Sequence, residues 1–325
     1  MAVHSRHEEG GRGMRTTDSL RTTYGETLVE LGKDNKDIVL LEADLGNSTM
    51  SKLFAAEYPD RYFQMGIAEQ NMASVSAGLS LTGKVPFMNS FAVFASGRAY
   101  DQIRSSITIA NLNVKICGSS AGLSDYGDGK THQSIDDIAL MQVLPHMTVL
   151  SPCDAVETEK MVKAMVEQKG PMYIRINRND LPIVTNPDEE YHIGKMTQMV
   201  DGKDVVIFAT GVMVQQSMEA AKILGKEGIS ARVVNVSTIK PLDTKALEAY
   251  AEGMKGVVTA EEHNVIGGLG SAVCSALSKK RVPIEILGVG DRFGTSAENY
   301  SILLKHYGLE AEDVAKKVRS VLAYK

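Results

Sequence analysis

The segment YFQMGIAEQNMASVSAGLSLTG, residues 62–83, sets a single carboxylate, Glu69, in a run of small residues with helical spacing. At 3.6 residues per turn Glu69 shares the apolar face with Met65, Met72, Ala73 and Ser76, while Gln70, Asn71 and Ser74 take the polar one. An unpaired charge on a buried face costs on the order of several kcal/mol. The position therefore needs a reason beyond packing. A second group lies in GLSDYGDGKTHQSIDDIA (122–139), where Asp128 and His132 stand just ahead of a helix. A neutral imidazole there could hydrogen-bond a substrate hydroxyl, and a purely structural histidine fits equally well. Ser134 is expected to cap that helix, with Asp137 at its third position.

Arg178 follows MYIRIN with the parity of Ile174 and Ile176, at the carboxyl end of a strand. A guanidinium so placed can grip a phosphate with two parallel bonds, or bridge to the acidic stretch that follows. Phe91 and Phe94, in NSFAVFASGRAYDQIR, read as core on spacing alone. EEHNVIGGLGS (261–271) opens a helix with glycine, which suits close packing on a sheet or an anion at the helix start.

These residues must be held by the elements around them. Near-continuous apolar runs at 37–44, 84–90, 113–119, 147–152 and 172–177 read as strands, with helical patterns at 18–32, 67–82, 95–109, 134–142 and 154–168. Apolar strands alternating with helices predict a parallel sheet covered on both faces. After an acidic stretch with two prolines the alternation restarts at 204–211, 230–237, 255–262 and 282–290, closing on a helix at 309–323. The predicted fold class is α/β, with two domains of mainly parallel sheet flanked by helices. Residues 1–14 read as a flexible arm, 15–182 as the first domain, 183–203 as a linker and 204–325 as the second domain. Ligands of open parallel sheets collect beyond the carboxyl ends of strands. Four polar groups fall there: Asp44 to Ser48, Asn89 to Phe94, Ser119 to His132, and Arg178.

Composition narrows the class. The 325 residues are 43% hydrophobic and 23% charged, and the net charge of −5 leaves no basic footprint for nucleic acid or an anionic membrane. No apolar run approaches the ~20 residues of a membrane span, and the N-terminus lacks the apolar core of a secretory signal. Cys117, Cys153 and Cys274 are odd in number and widely spaced, which fits neither a disulfide framework nor a zinc site. A reducing cytoplasm is the expected compartment.

Taken together, the stretches GIAEQNM, DGKTHQ, INRNDLP and ADLGNST resemble the C-terminal half of transketolase, in order and in spacing, from about residue 15 onward. The resemblance implies a pyrimidine-binding domain followed by a transketolase C-terminal domain, with thiamine diphosphate and Mg2+ as cofactors. It implies that Glu69 hydrogen-bonds a ring nitrogen of the cofactor's aminopyrimidine and so favours the tautomer that removes the thiazolium proton. Phe91 matches the aromatic that stacks on that ring, with Phe94 beside it, and Asp44 matches an acid near the cofactor. His132, a catalytic candidate with Glu69, and Asp128 match positions that touch donor-sugar hydroxyls. Arg21, Ser48 and Arg178 match positions that bind the sugar phosphate. Two departures stand out: Ser120 where relatives often carry histidine, and Lys130 where they carry proline.

The GDG at 127–129 resembles a magnesium motif, but the later window PHMTVLSPCDA holds no asparagine to complete one. No metal ligands are expected in this chain. The resemblance thus implies a split enzyme, in which a separate N-terminal subunit holds metal and diphosphate and a heterotetramer, with contacts between copies of this chain, forms the whole. A two-carbon ketol unit would pass from a ketose phosphate to an aldose phosphate. Part of a deoxyxylulose-phosphate synthase, the β subunit of a 2-oxoacid dehydrogenase, and a non-catalytic regulatory partner are the alternatives.

Overall fold

The computed structural model describes residues 17–324; the expected arm, 1–14, lies outside the described residues. In chain order the strands are β1 (Thr17–Ser19), β2 (Ile38–Glu42), β3 (Tyr62–Gln64), β4 (Val85–Phe91), β5 (Lys115–Ser119), β6 (Thr148–Leu150), β7 (Met172–Ile176), β8 (Asp180–Pro182), β9 (Thr197–Val200), β10 (Val205–Ala209), β11 (Ala231–Asn235), β12 (Thr238–Lys240), β13 (Gly256–Asn264) and β14 (Ile284–Val289). One sheet runs β12-β6-β7-β5-β4-β2-β3 and the other β14-β13-β10-β11-β9, with β1 and β8 forming a small pair. Both main sheets are parallel except where β12 and β9 join antiparallel at an edge. The fold is α/β with two mainly parallel sheets flanked by helices. β2, β4, β5 and β7 are buried at every position, which is why they read as unbroken apolar runs.

Two features bind the sheets into one body. Residues 183–203, expected as linker, supply β9, the edge of the second sheet. β12, from the second half of the chain, pairs with β6 and extends the first sheet. A hydrophobic cluster runs without a break from Leu150, Ile174 and Leu181 to Ile207, Val233 and Leu287.

The helix expected from Ser134 starts later and is capped differently. It spans Asp137–Gln142 with Asp136 at the N-cap and no side-chain cap bond. Ser134 instead exchanges backbone hydrogen bonds with Gly122 and turns its hydroxyl to Asp136. Asp137 is buried and takes Arg175 in a two-pronged ion pair (Nε to Oδ2 2.9 Å, Nη2 to Oδ1 3.2 Å), and Tyr173 donates to the same carboxylate at 2.8 Å. Removing one member of a buried pair strands the other charge, so Asp137→Ala is expected to cost about 3–5 kcal/mol. Urea unfolding of the purified chain measures it, and a loss under about 1 kcal/mol would show that Arg175 finds water or another acceptor.

The glycine-led helix Leu269–Ala276 carries its own anion. Glu261 accepts the amides of Leu269 (2.7 Å) and Gly270 (2.8 Å). Gly268 lies so close that a Cβ there would strike the Glu261 carboxylate. The helix start is thus filled by a side chain of β13.

Candidate functional site at the strand ends

Strand register sets the site. Glu42 pairs with Asn89, Phe91 with Ser119, and Ser119 with Ile176, so the carboxyl ends of β2, β4, β5 and β7 stand in one rank. Glu69 opens the helix Glu69–Leu81, where the helix dipole favours an acid, and is 1% exposed. Met72, Ala73 and Ser76 are buried with it, while Gln70, Asn71 and Ser74 face solvent. Its carboxylate has a partner in the chain: Arg98 Nη1 donates to both oxygens, at 3.1 and 3.3 Å, and Ser90 Oγ to one at 3.5 Å. The Arg98 guanidinium also lies over the Phe94 ring, 4.5 Å from its centroid.

Phe91 and Phe94 are not simple core residues. Their rings stack 6.2 Å apart at 19°, and the His132 ring meets both edge-on at 6.1 and 5.4 Å. Phe91 is buried and Phe94 half-buried. The segment after them, expected as a helix over 95–109, is broken into π turns at Phe94–Arg98 and Ile103–Thr108 around one α turn at Tyr100–Gln102. Such wide turns recur at functional sites because the extra residue re-aims a side chain. Here the turn points Arg98 back at Glu69.

The basic side of the rank holds Arg178, which donates to Asp125 at 2.7 Å, stands 4.0 Å from Asp128 and lies 5.9 Å from the Phe91 centroid. Arg21 donates from Nη1 to the Ser48 carbonyl at 2.8 Å. Burial lowers the Arg21 pKa, and the like charge of Arg178 lowers it further. Two guanidiniums whose like charges act on each other favour a shared anionic partner. Three buried polar atoms there have no partner: Arg21 Nε, Ser119 Oγ and Ser120 Oγ. Ser120, in the left-handed region at φ 54, is one of the departures noted above.

Asp44 and Ser48 ride on a turn and a short helix, Gly46–Thr49, wrapped around Glu42. The Glu42 carboxylate accepts the amides of Ala43 (3.1 Å) and Leu45 (3.3 Å) and the hydroxyls of Thr49 (2.8 Å) and Ser51. Burial pushes it up to about 7 despite those donors. Asp44 sits exposed at φ 62, its amide bonded to Gln64 Oε1 at 2.8 Å. Contacts thus link Phe91, Phe94, His132 and Arg178 directly and reach Glu69 through Arg98, with Asp128 at their edge. Arg21 and Ser48 join by charge and backbone, and Asp44 stands apart on the rim. Sequence reading passed over Arg98, Glu42 and Asp125. Of these only Asp125 carried a signal, as an acid within GLSDYGDG.

A parallel sheet with an acid, two rings and two guanidiniums near its carboxyl edge is the arrangement in which open α/β sheets take ligands. The chain belongs to the transketolase family: the pyrimidine-binding domain of transketolase matches residues 17–184 and its C-terminal domain residues 194–314. A Methanocaldococcus jannaschii protein, provisionally named a transketolase C-terminal section, is 43% identical over 92% of this chain and 95% of its own. One subunit of the apulose-4-phosphate transketolase of Phocaeicola vulgatus is 37% identical over 91% of this chain and 95% of its own. Human transketolase is 37% identical over 93% of this chain but 49% of its own length. Among solved structures, the inactive β4 tetramer of a split-gene transketolase superposes with a TM-score of 0.84 at 47% identity, covering 94% of this chain and 98% of that one.

Proposed function

We propose that this chain is the C-terminal subunit of a thiamine-diphosphate-dependent transketolase, completed by a separate N-terminal subunit that holds most of the metal and diphosphate. The observation that carries the reading is the convergence of Glu69, Phe94, Phe91 and His132. A flat cation, the Arg98 guanidinium, already lies on a ring face there and bonds the buried carboxylate. A planar base whose ring nitrogen shares a proton with the carboxylate would present a similar flat face and N–H donor, so these residues fit an aminopyrimidine. When bound, thiamine diphosphate supplies the carbanion chemistry for moving a two-carbon ketol unit. The chain's part is to position. Glu69 would hold a proton at the ring nitrogen, and Phe94, the more open ring, would meet the base's face with Phe91 behind it. Asp44 would approach the same ligand from the rim. His132 and Asp128 would bond sugar hydroxyls, and Arg21, Arg178 and Ser48 would grip the phosphate. The unpartnered atoms of Arg21, Ser119 and Ser120 support a ligand on that side.

The subunit reading is supported by relatives matched over nearly their full length, one of them itself named as a subunit. The 47%-identical neighbour is an inactive β4 assembly, in keeping with contacts between copies and a missing partner. The paired guanidiniums favour a sugar phosphate over a free oxoacid, which argues against a 2-oxoacid dehydrogenase β subunit. The retained acid and rings argue against a purely regulatory partner. Among the described residues no helix is long and apolar enough to cross a membrane, and the three cysteines are free thiols, which suits a reducing cytoplasm.

The test is reconstitution with an N-terminal transketolase subunit, assayed with xylulose 5-phosphate against pyruvate. Ketol transfer from the sugar phosphate is expected, and turnover of pyruvate alone would overturn the reading. Arg21→Ala and Arg178→Ala are each expected to raise KM for phosphorylated donors by roughly tenfold to a hundredfold, with a much smaller effect on unphosphorylated ones. Equal losses on both donor types would assign these arginines to the fold.

A further inference from the structure

Glu262 stands on β13 in the second sheet, yet its buried carboxylate turns into the first domain. Oε1 accepts the Leu123 amide and the Tyr300 hydroxyl, both at 2.8 Å, and Oε2 accepts Asn177 Nδ2 at 3.4 Å. Gly122, at φ 66, packs so closely that a Cβ there would strike the Glu262 carboxyl. From these contacts bonding continues to the rim. Ser124 accepts the Arg178 amide at its hydroxyl (3.2 Å) and Asn179 Nδ2 at its carbonyl (3.1 Å), and Arg178 grips Asp125. A second tie holds the same loop, since Gln133 Nε2 donates to the Thr295 carbonyl (2.9 Å) and Ala297 donates its amide to the Tyr126 carbonyl (2.8 Å).

We infer that Glu262 is a positioning residue, by which the second domain sets the loop 121–133 and with it Asp125, Arg178 and His132. The catalytic consequence rests on the function proposed above; the mechanical part does not. A carboxylate kept only for packing would be replaced by an apolar side chain at little cost. This one spends its acceptors on donors from three elements: the loop after β5, the segment after β7, and the helix Tyr300–Tyr307.

Glu262→Gln keeps the shape but replaces one acceptor oxygen with an N–H donor among groups that already donate. Hydrogen exchange on the isolated chain is expected to speed up by roughly tenfold or more at residues 121–133, with β10 and β11 unchanged. In the reconstituted pair KM for the ketose phosphate should rise roughly tenfold while kcat stays within about twofold. Should Glu262→Gln fail to fold, Tyr300→Phe decides, because it removes one donor to the same oxygen and should move both readouts in the same direction by less. Unchanged exchange in the folded variants would overturn the positioning role. So would a loosened loop with wild-type KM in an active pair. If the wild-type pair itself transfers no ketol unit, the functional reading falls and the exchange data alone judge Glu262.

Discussion

Glu69→Ala is expected to leave the chain folded and to lower turnover of the reconstituted enzyme by roughly 10²–10⁴-fold, the range for loss of a positioned proton-transfer group. The structure separates the two effects. Glu69 is buried, but its main partner, the Arg98 guanidinium, is 45% exposed, so removing the carboxylate leaves a cation that water can solvate. A half-open pair contributes on the order of 1 kcal/mol or less, and the alanine variant should unfold within that margin of the wild type. Catalysis is expected to differ because the other buried acids of the rank are committed elsewhere: Asp125 is engaged by Arg178, and Glu42 by its own loop. Glu69→Gln is the sharper control. It keeps the volume and one acceptor, and should be nearly as inactive, since an amide cannot share a proton with a ring nitrogen. Near-wild-type turnover in either variant would remove Glu69 from the mechanism.

Arg98 also corrects the expectation from sequence that Glu69 waits unpaired for its ligand. The acid has a partner in the chain, and that partner was hidden by the backbone. A 3.6-residue period assigns faces correctly along Glu69–Leu81, where the helix is regular. It misassigns them along 94–108, where π turns insert extra residues. Hydroxyls of Ser96, Ser105 and Thr108 bond carbonyls four residues back in that stretch, a local competition that spacing does not encode. The central strands were legible because burial on both faces leaves an unbroken apolar run. β1, β8, β9 and β12 were not, since three or four residues carry no period and their pairing partners are far away in the chain. The same holds for the site. Side chains at strand ends could be read as candidates, whereas Glu262, 139 residues from the Leu123 amide it accepts, had no sequence signal. Ser134 misled for a related reason: its backbone is recruited by Gly122, which leaves Asp136 at the helix start.

Thiamine diphosphate and Mg2+ titrated into this chain alone are expected to give negligible binding and no ketol transfer, and both should emerge on mixing with the N-terminal subunit. On the function proposed above, the residues gathered here would serve a planar base and a sugar phosphate. The diphosphate end of the cofactor would need a cation and its ligands, and the GDG at 127–129 is followed by no asparagine in PHMTVLSPCDA. Two rings and one carboxylate cannot offset the cost of ordering a large, highly charged cofactor whose diphosphate stays in water. Exposed apolar side chains also precede Glu69 in the chain. Ile67 is 74% exposed two residues before it, and Phe63 is 39% exposed on β3. Apolar side chains presented next to a buried acid suit a face that another subunit covers, which would exclude water and strengthen the Glu69 interaction. The two signals should therefore appear together: calorimetric binding that depends on Mg2+, and activity that saturates at equal amounts of the two subunits. Tight Mg2+-dependent binding by this chain alone would place the whole cofactor site here and overturn the division of labour between subunits. Binding on mixing without ketol transfer would keep the shared site and reject the transketolase reaction.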